Sequence, residues 1–244
     1  MSVTSVRSQI EERPGNNRIV GQSDLSARLT VTFEKRAENC VLELAEGVAY
    51  TGTVRFRAPN STIRIGARTA VTGHIGLGRD CTVTIGEGGW IGRGFEITAA
   101  EGQQVVIGDD CLIAPLTNIR ADDSHPLYDG LTGRRINPSR SVHIGDHVWI
   151  GRDSVVLPGS RIGNGAVIGF RGMVTSSRPV PDRALAVGSP VQVVRRNILW
   201  SRKHLQRSEI PESMDPDPAA LAEAEAEAVV VEAPPGLLRR FLRR

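Results

Sequence analysis

The chain is poor in aromatics, which make up 4% of its 244 residues, while glycine (26) and proline (14) are plentiful. That balance argues for many turns rather than a few bulky anchors. Cysteine is scarce too: Cys40, Cys81 and Cys111 are an odd set with no metal-ligand spacing. They exclude a disulfide framework and a thiolate metal site, and leave reduced thiols in a reducing compartment. A formal net charge of +3 is too small to argue for a nucleic-acid partner. No apolar run approaches the length of a membrane span. The first 17 residues contain no apolar signal core, so a cytoplasmic location is expected. No metal is expected. The length is enough for a sizeable core in one elongated domain.

What the sequence has is a period of six. From Ile144 it reads IGDHVW, IGRDSV, VLPGSR, IGNGAV, IGFRGM, then Val174. Ile144, Ile150, Val156, Ile162, Ile168 and Val174 open successive units. The residue two places before each later opener is small or aliphatic: Val148, Ser154, Ser160, Ala166, Gly172. A helix cannot give this pattern, since six is not close to a multiple of 3.6 residues per turn. Two inward residues spaced by two are a strand signal. Very short strands separated by turns and repeated at six indicate an all-β fold, a parallel β-helix. Three units make one turn of the solenoid, giving roughly seven or eight coils.

The same pairs occur upstream. Leu42 and Leu44, Val48 and Tyr50, and Val54 and Phe56 keep the period, and Pro59 and Asn60 interrupt it. It resumes from Ile63 and Ile65 through Cys81 and Val83. Small insertions follow, one of them EGQQ before Val105 and Ile107. Cys111 with Ile113 and Thr117 with Ile119 complete the block. Cys81 and Cys111 stand where other units have Ser, Ala or Val, so they read as small buried side chains. Residues 1–17 read as an irregular N-terminus and 18–194 as the β-helix. Ile198, Leu199, Arg202 and Leu205 have helical spacing, so a short helix over 195–207 is expected to cap the open end. Residues 208–244 read as a disordered acidic linker and a basic amphipathic tail. That tail, 236–244, is a candidate for weak membrane or partner contact.

One break differs from the rest. Six residues after Ile119 stands His125, followed by Pro126. Continuing the coil would bury an unpaired imidazole, at a cost of roughly 1–3 kcal/mol or more. The chain is therefore expected to leave the coil near Asp122 and rejoin it at Ile144. A loop this long in a compact repeat is usually functional or disordered. Its density of Asp, His, Tyr and Arg over 121–143 favours function.

The run DDSHPLYDGLTGRRINPSRSVHIGDHVWIG, followed by GNGAVIGFRGMVT and AVGSPVQVVRR, resembles the hexapeptide-repeat acyltransferases. It is most similar to those that O-acetylate sugars and polysaccharides. The resemblance implies a left-handed coil, a homotrimer with active sites between subunits, acetyl-CoA as donor and a glycan or sugar acceptor. It implies that His125 is the catalytic base. Histidine suits that role because an imidazole ordinarily titrates near ~6.5. Asp122, Asp123 and Asp129 are candidates to orient it, and with Tyr128 to meet the acceptor. Trp149 lies between inward Val148 and Ile150, so its indole points outward. The resemblance puts it in the active site near the donor, whereas Trp90 reads as packing. For the donor it implies Gly169, Phe170, Arg171, Gly172, and the turn Gly188-Ser189-Pro190. Arg195 and Arg196, with Arg178, are candidates for the CoA phosphates. Phe170 stands where relatives tend to have a small residue, and SSRPVP replaces the usual lysine-containing turn. Three other readings compete. One is a zinc enzyme using His125, His143 and His147, whose spacing does not fit. The second is a scaffold without catalysis, and the third an acyltransferase with a non-sugar or amino-sugar acceptor.

Overall fold

The computed structural model describes residues 9–21, 28–206, 209 and 211–214. It comprises two units, Met1–Ile198 and Leu199–Arg244, and all described strands lie in the first. That unit is a parallel β-helix. Its first face is an eight-stranded sheet. One edge strand, Gln9–Arg13, is antiparallel; each of the others marks one coil, from Asn17–Gly21 through Val142–Ile144 to Arg161–Ile162.

The second and third faces form one continuous sheet, because in the early coils a single strand runs round the corner between them. Ala49–Phe56, Ala70–Leu77 and Trp90–Ala99 are such strands. Glycine permits the bend. A Cβ on Gly52, whose φ is +139°, would run into the carbonyl of Gly73. One on Gly73 would run into the carbonyl of Phe95. From the fifth coil onward a turn replaces the bend, as between Leu112–Ile113 and Asn118–Arg120.

The inward pairs read from the repeat are the core. Ile63 with Ile65, Cys81 with Val83, Phe95 with Ile97, Val105 with Ile107, and Cys111 with Ile113 are all at most 2% exposed. Each fully buried aliphatic contributes on the order of 1.5–3 kcal/mol. The three thiols are free and buried, and burial pushes that of Cys111 up to about 11.

The recurring Ile-Gly-Asp/Asn has a physical cause. The Oδ1 atoms of Asp109, Asp146, Asn164 and Asp182 each accept the backbone N–H of the residue one coil earlier. These donors are Glu87, Asp109, Asp146 and Asn164, all at 2.8 Å. The accepting oxygen sits where a Cβ would stand on Gly86, Gly108, Gly145 and Gly163. Only glycine leaves room for this stack. Gly145→Ala should therefore destabilise the solenoid by about 1–3 kcal/mol. Gly130→Ala, whose Cβ would meet nothing within 4 Å, should be silent. Thermal unfolding of the two variants checks this; equal melting temperatures would refute it.

Two expectations change. Residues 9–13 are not irregular: they form a strand that turns through Gly15 and Asn16, at φ 78° and 57°, and pairs with Asn17–Gly21. The helix over 195–207 is absent from the described residues. Arg195 instead ends the strand Val191–Arg195, antiparallel to Leu185–Gly188. Asn197 has a φ of 52°, which a helix cannot hold. Short side-chain bonds, Lys203 N–H to Ser201 Oγ and Gln206 N–H to His204 Nδ1 (both 3.2 Å), satisfy the backbone locally. An antiparallel strand thus covers a sheet edge near each end of the coil, and at the C-terminal end it stands in place of the expected helix. Apart from 209 and 211–214, the acidic linker and the basic tail lie outside the described residues. No helix among the described residues is long and apolar enough to cross a membrane.

Candidate functional site

The loop leaves the third face after Asn118–Arg120 and returns on the first at Val142–Ile144. Register records the excursion: Val105 pairs with Val142, whereas His143 pairs with Arg161, only half as far along the chain.

The exit is tightly built. Ala121 and Asp122 are buried. Asp122 Oδ1 accepts the Ser124 N–H (2.9 Å). Arg120 donates to the Asp122 carbonyl (3.2 Å) and to Ser124 Oγ (2.7 Å). Ser124 takes a φ of 63°, and the His125 N–H closes back on the Asp123 carbonyl at 2.7 Å. This turn throws His125 outward. It is exposed, and its ring has no hydrogen bond or ion pair within the described residues.

A hairpin follows. The Ile136 N–H donates to the Leu127 carbonyl, the Asp129 N–H donates to the Arg134 carbonyl, and Tyr128 bridges Arg135. Asp129 spends its carboxylate on the tip, accepting from the N–H groups of Leu131 and Thr132 and from Thr132 Oγ1. Those bonds, led by the one from the Thr132 N–H, hold it below the usual carboxylate range. Leu127, Tyr128, Leu131 and Ile136 are exposed. None of Asp122, Asp123 or Asp129 reaches the His125 imidazole within the chain.

Two residues that the sequence reading did not assign fix this loop. The Asn137 amide donates to Asp123 Oδ2 (3.1 Å) and to the His125 carbonyl (2.9 Å), and its oxygen accepts the Leu127 N–H (2.6 Å). Glu101, from the EGQQ insertion, accepts both terminal nitrogens of Arg135, the Ser139 N–H (3.2 Å) and Ser139 Oγ (2.6 Å). The Arg135 bonds first, then Ser139, hold its carboxyl down at about 2, against an ordinary 4.5. A depressed carboxylate anchors fully above its unfolded value and lets go as pH falls through its folded one. The anchor should therefore be complete above about pH 4.5 and lost toward pH 2. Peptic cleavage within 127–137 should be faster in Glu101→Gln than in the wild type at pH 4.5. The ratio of the two rates should approach one as the pH drops to 2. A constant ratio would show that Glu101 is not the anchor.

Trp149 is 40% exposed and points outward on the second face, as the period requires. In its column Leu112 separates it from Trp90, which is similarly exposed. The His125 loop leaves between the third and first faces, whereas Trp149 stands on the second. Gly169, Phe170, Arg171 and Gly172 form the corner between second and third faces in the last full coil. Phe170 is exposed, with the Arg171 guanidinium 5.2 Å from its ring centroid. Arg171 also lies 3.6 Å from Asp153, so its charge is already partnered. Gly172 points inward, where a Cβ would crowd Ile168, the Gly169 carbonyl (3.0 Å) and Val191 (3.2 Å). Gly188 to Pro190 form the turn between the last two strands, and Arg178, Arg195 and Arg196 are exposed. His147 Nδ1 lies 2.6 Å from Asp110 Oδ2. Among the described residues no three His, Cys, Asp or Glu side chains cluster closely enough to hold a metal.

Residues 141–175 match the family described as bacterial transferase hexapeptide (six repeats). The polysialic acid O-acetyltransferase of Neisseria meningitidis is 37% identical over 154 residues, covering 63% of this chain and 71% of that protein. The polysialic acid O-acetyltransferase of Escherichia coli O1:K1 / APEC is 33% identical over 140 residues. That match covers 57% of this chain but only 45% of the relative, so the chain spans less than half of it. The crystal structure of the polySia-specific acetyltransferase NeuO superposes with a TM-score of 0.71 at 32% identity, covering 81% of each chain. Family match, sequence identity and superposed coils agree: the chain belongs to the hexapeptide-repeat sugar O-acetyltransferases, which are left-handed β-helices.

Proposed function

We propose that this protein transfers an acetyl group from acetyl-CoA to a sugar hydroxyl of a glycan or glycan precursor. The observation that carries the reading is the solvent-facing His125 imidazole, without a hydrogen bond or ion pair among the described residues, on a loop that Asn137 and Glu101 tie down. An alcohol is a poor nucleophile at neutral pH, so the acceptor needs a base. His125 takes the hydroxyl proton as the oxygen attacks the thioester carbonyl. The imidazolium then returns that proton to the departing CoA sulfur. The products are an acetyl ester and free CoA thiol.

The separate placing of His125 and Trp149 supports a homotrimer. If both line one site, it lies between the loop of one subunit and the later coils of its neighbour. Arg178, Arg195 and Arg196 are exposed at the end where the CoA phosphates would lie. Asp123 and Tyr128, beside His125, are left to meet the acceptor, while Asp122 and Asp129 shape the loop. Three free, buried thiols fit work in the reducing cytoplasm.

The test is release of CoA thiol on mixing the protein with acetyl-CoA and a panel of sugars, amino sugars and serine. Ester formation on a sugar is the expected result. Turnover confined to amines would overturn it. CoA alone should raise the melting temperature, because it binds the folded state.

A further inference from the structure

We infer that the N-terminal mouth of the coil is a second, non-catalytic sugar-binding site, joined to the His125 loop by the corner between the third and first faces. One ring of the acceptor glycan stacks on Phe33 there while a later residue of the same glycan meets the base. The inference rests on the sugar acetyltransfer proposed above and adds a place of binding remote from the chemistry.

The strand Leu29–Phe33 is the first rung of the third face and pairs only with Ala49–Phe56. Phe33 stacks on Phe56, with ring centroids 5.1 Å apart and planes 4° from parallel. No strand among the described residues lies on its other side, and Phe33 is only partly buried. That side lines a cavity of about 490 Å³, together with Arg13, Gly15, Val31, Lys35 and Glu38.

The walls of this cavity are held before any ligand arrives. Asn17, buried beneath it, donates to the carbonyls of Pro14 (2.6 Å) and Ala37 (2.9 Å), one on each side. Its Oδ1 accepts the Cys40 N–H at 2.9 Å. Lys35 and Glu38 are exposed at the rim and make no ion pair or side-chain hydrogen bond among the described residues. A flat aromatic floor below an ammonium and a carboxylate suits a pyranose. The C–H face of the sugar meets the ring, and its hydroxyls meet the rim.

The corner that leads from this cavity to the loop carries one amide or carboxylate per coil. Asn16, Asn39, Asn60, Asp80 and Glu101 stand there, all exposed and all at a positive φ of 54–63°. Asn16 Nδ2 donates to Asn39 Oδ1 (2.9 Å), Asn39 Nδ2 to Asn60 Oδ1 (3.2 Å), and Asn60 Nδ2 to Asp80 Oδ1 (2.9 Å). Each bond uses one amide hydrogen, and no described residue takes the second. Glu101, the last rung, grips the loop through Arg135 and Ser139. Capping a left-handed corner explains the ladder bonds but not their extent. Beyond the loop the same corner carries Gly159 and Ser176, with no amide side chain. The free N–H groups recur once per rung, about 4.8 Å apart and close to the length of one sugar residue. The loop is four rungs beyond Asn39, about 19 Å, so a chain of about five sugars spans cavity and base.

The test uses the full-length protein, saturating acetyl-CoA, and a dimer and an octamer of sialic acid, with a dimer and an octamer of galactose as a neutral series. Counted per sugar residue, the octamer's KM should lie at least about tenfold below the dimer's, because a second contact on one chain acts at a high effective concentration. Phe33→Leu keeps an apolar partner for Phe56 but no flat ring. Asn60→Gly removes an amide at a backbone angle that glycine adopts freely. Each should shrink the dimer-to-octamer ratio about two- to tenfold, the worth of one stacking contact or hydrogen bond. Equal KM for the two lengths in the wild type would overturn the mouth site and leave acetyl transfer standing. Variants that keep the wild-type ratio would overturn it too. So would a change in subunit association in Phe33→Leu, which would make the mouth an interface between copies. Failure of every sugar would sink the acetyltransferase reading and this site with it.

Discussion

Replacing His125 by alanine should lower kcat for acetyl transfer by about 10²–10⁴-fold, the usual contribution of a positioned general base. The side chain is exposed and has no hydrogen bond or ion pair among the described residues, so little packing is lost and the melting temperature should hold. KM for acetyl-CoA should hold as well, because the imidazole acts on the acceptor proton as the bond forms and not on the bound donor. His147→Gln is a control of the same residue type: it gives up a 2.6 Å bond to Asp110 and should leave kcat unchanged. Near-normal turnover in His125→Ala would remove the base and, with it, the mechanism.

The solenoid was legible because its repeat is enforced by volume. Every inward position holds a side chain that fits a narrow prism, so Ile63, Val105 or Ile150 announce themselves by spacing alone. The glycines of the Ile-Gly-Asp/Asn units were visible too, although their reason lies one coil away, in the oxygen of Asp146 or Asn164. The exit of the loop could be read from a single clash, His125 falling on an inward position. What holds the loop could not. Glu101 and Ser139 meet through a bond that spans 38 positions, and no local pattern marks them. The ends failed for a related reason. Helical spacing from Ile198 to Leu205 is a weak preference, and one left-handed Asn197 with a strand ending at Arg195 overrides it. Trp149 was legible in direction but not in company, because period two gives the face and not its neighbour.

Asn137→Ala should lower kcat about ten- to hundredfold with KM for acetyl-CoA unaltered, although Asn137 is not placed to touch either substrate. Its amide makes one bond two residues before His125, one at His125 itself and one two residues after. Losing all three frees the backbone that aims the imidazole, and a displacement near 1 Å can cost on the order of 10²-fold. A purely structural role would lower the melting temperature in step with kcat. A positioning role would not, since the loop lies outside the core. Asn137→Asp separates the two further. It keeps an oxygen for the Leu127 N–H but loses both donors and sets a second carboxylate against Asp123. Protonation restores a donor, so its activity relative to wild type should climb as pH falls toward the carboxylate range near ~4. The alanine variant, with nothing to protonate, should show no such rise. If the two variants share one pH profile, Asn137 is not what holds the base in place.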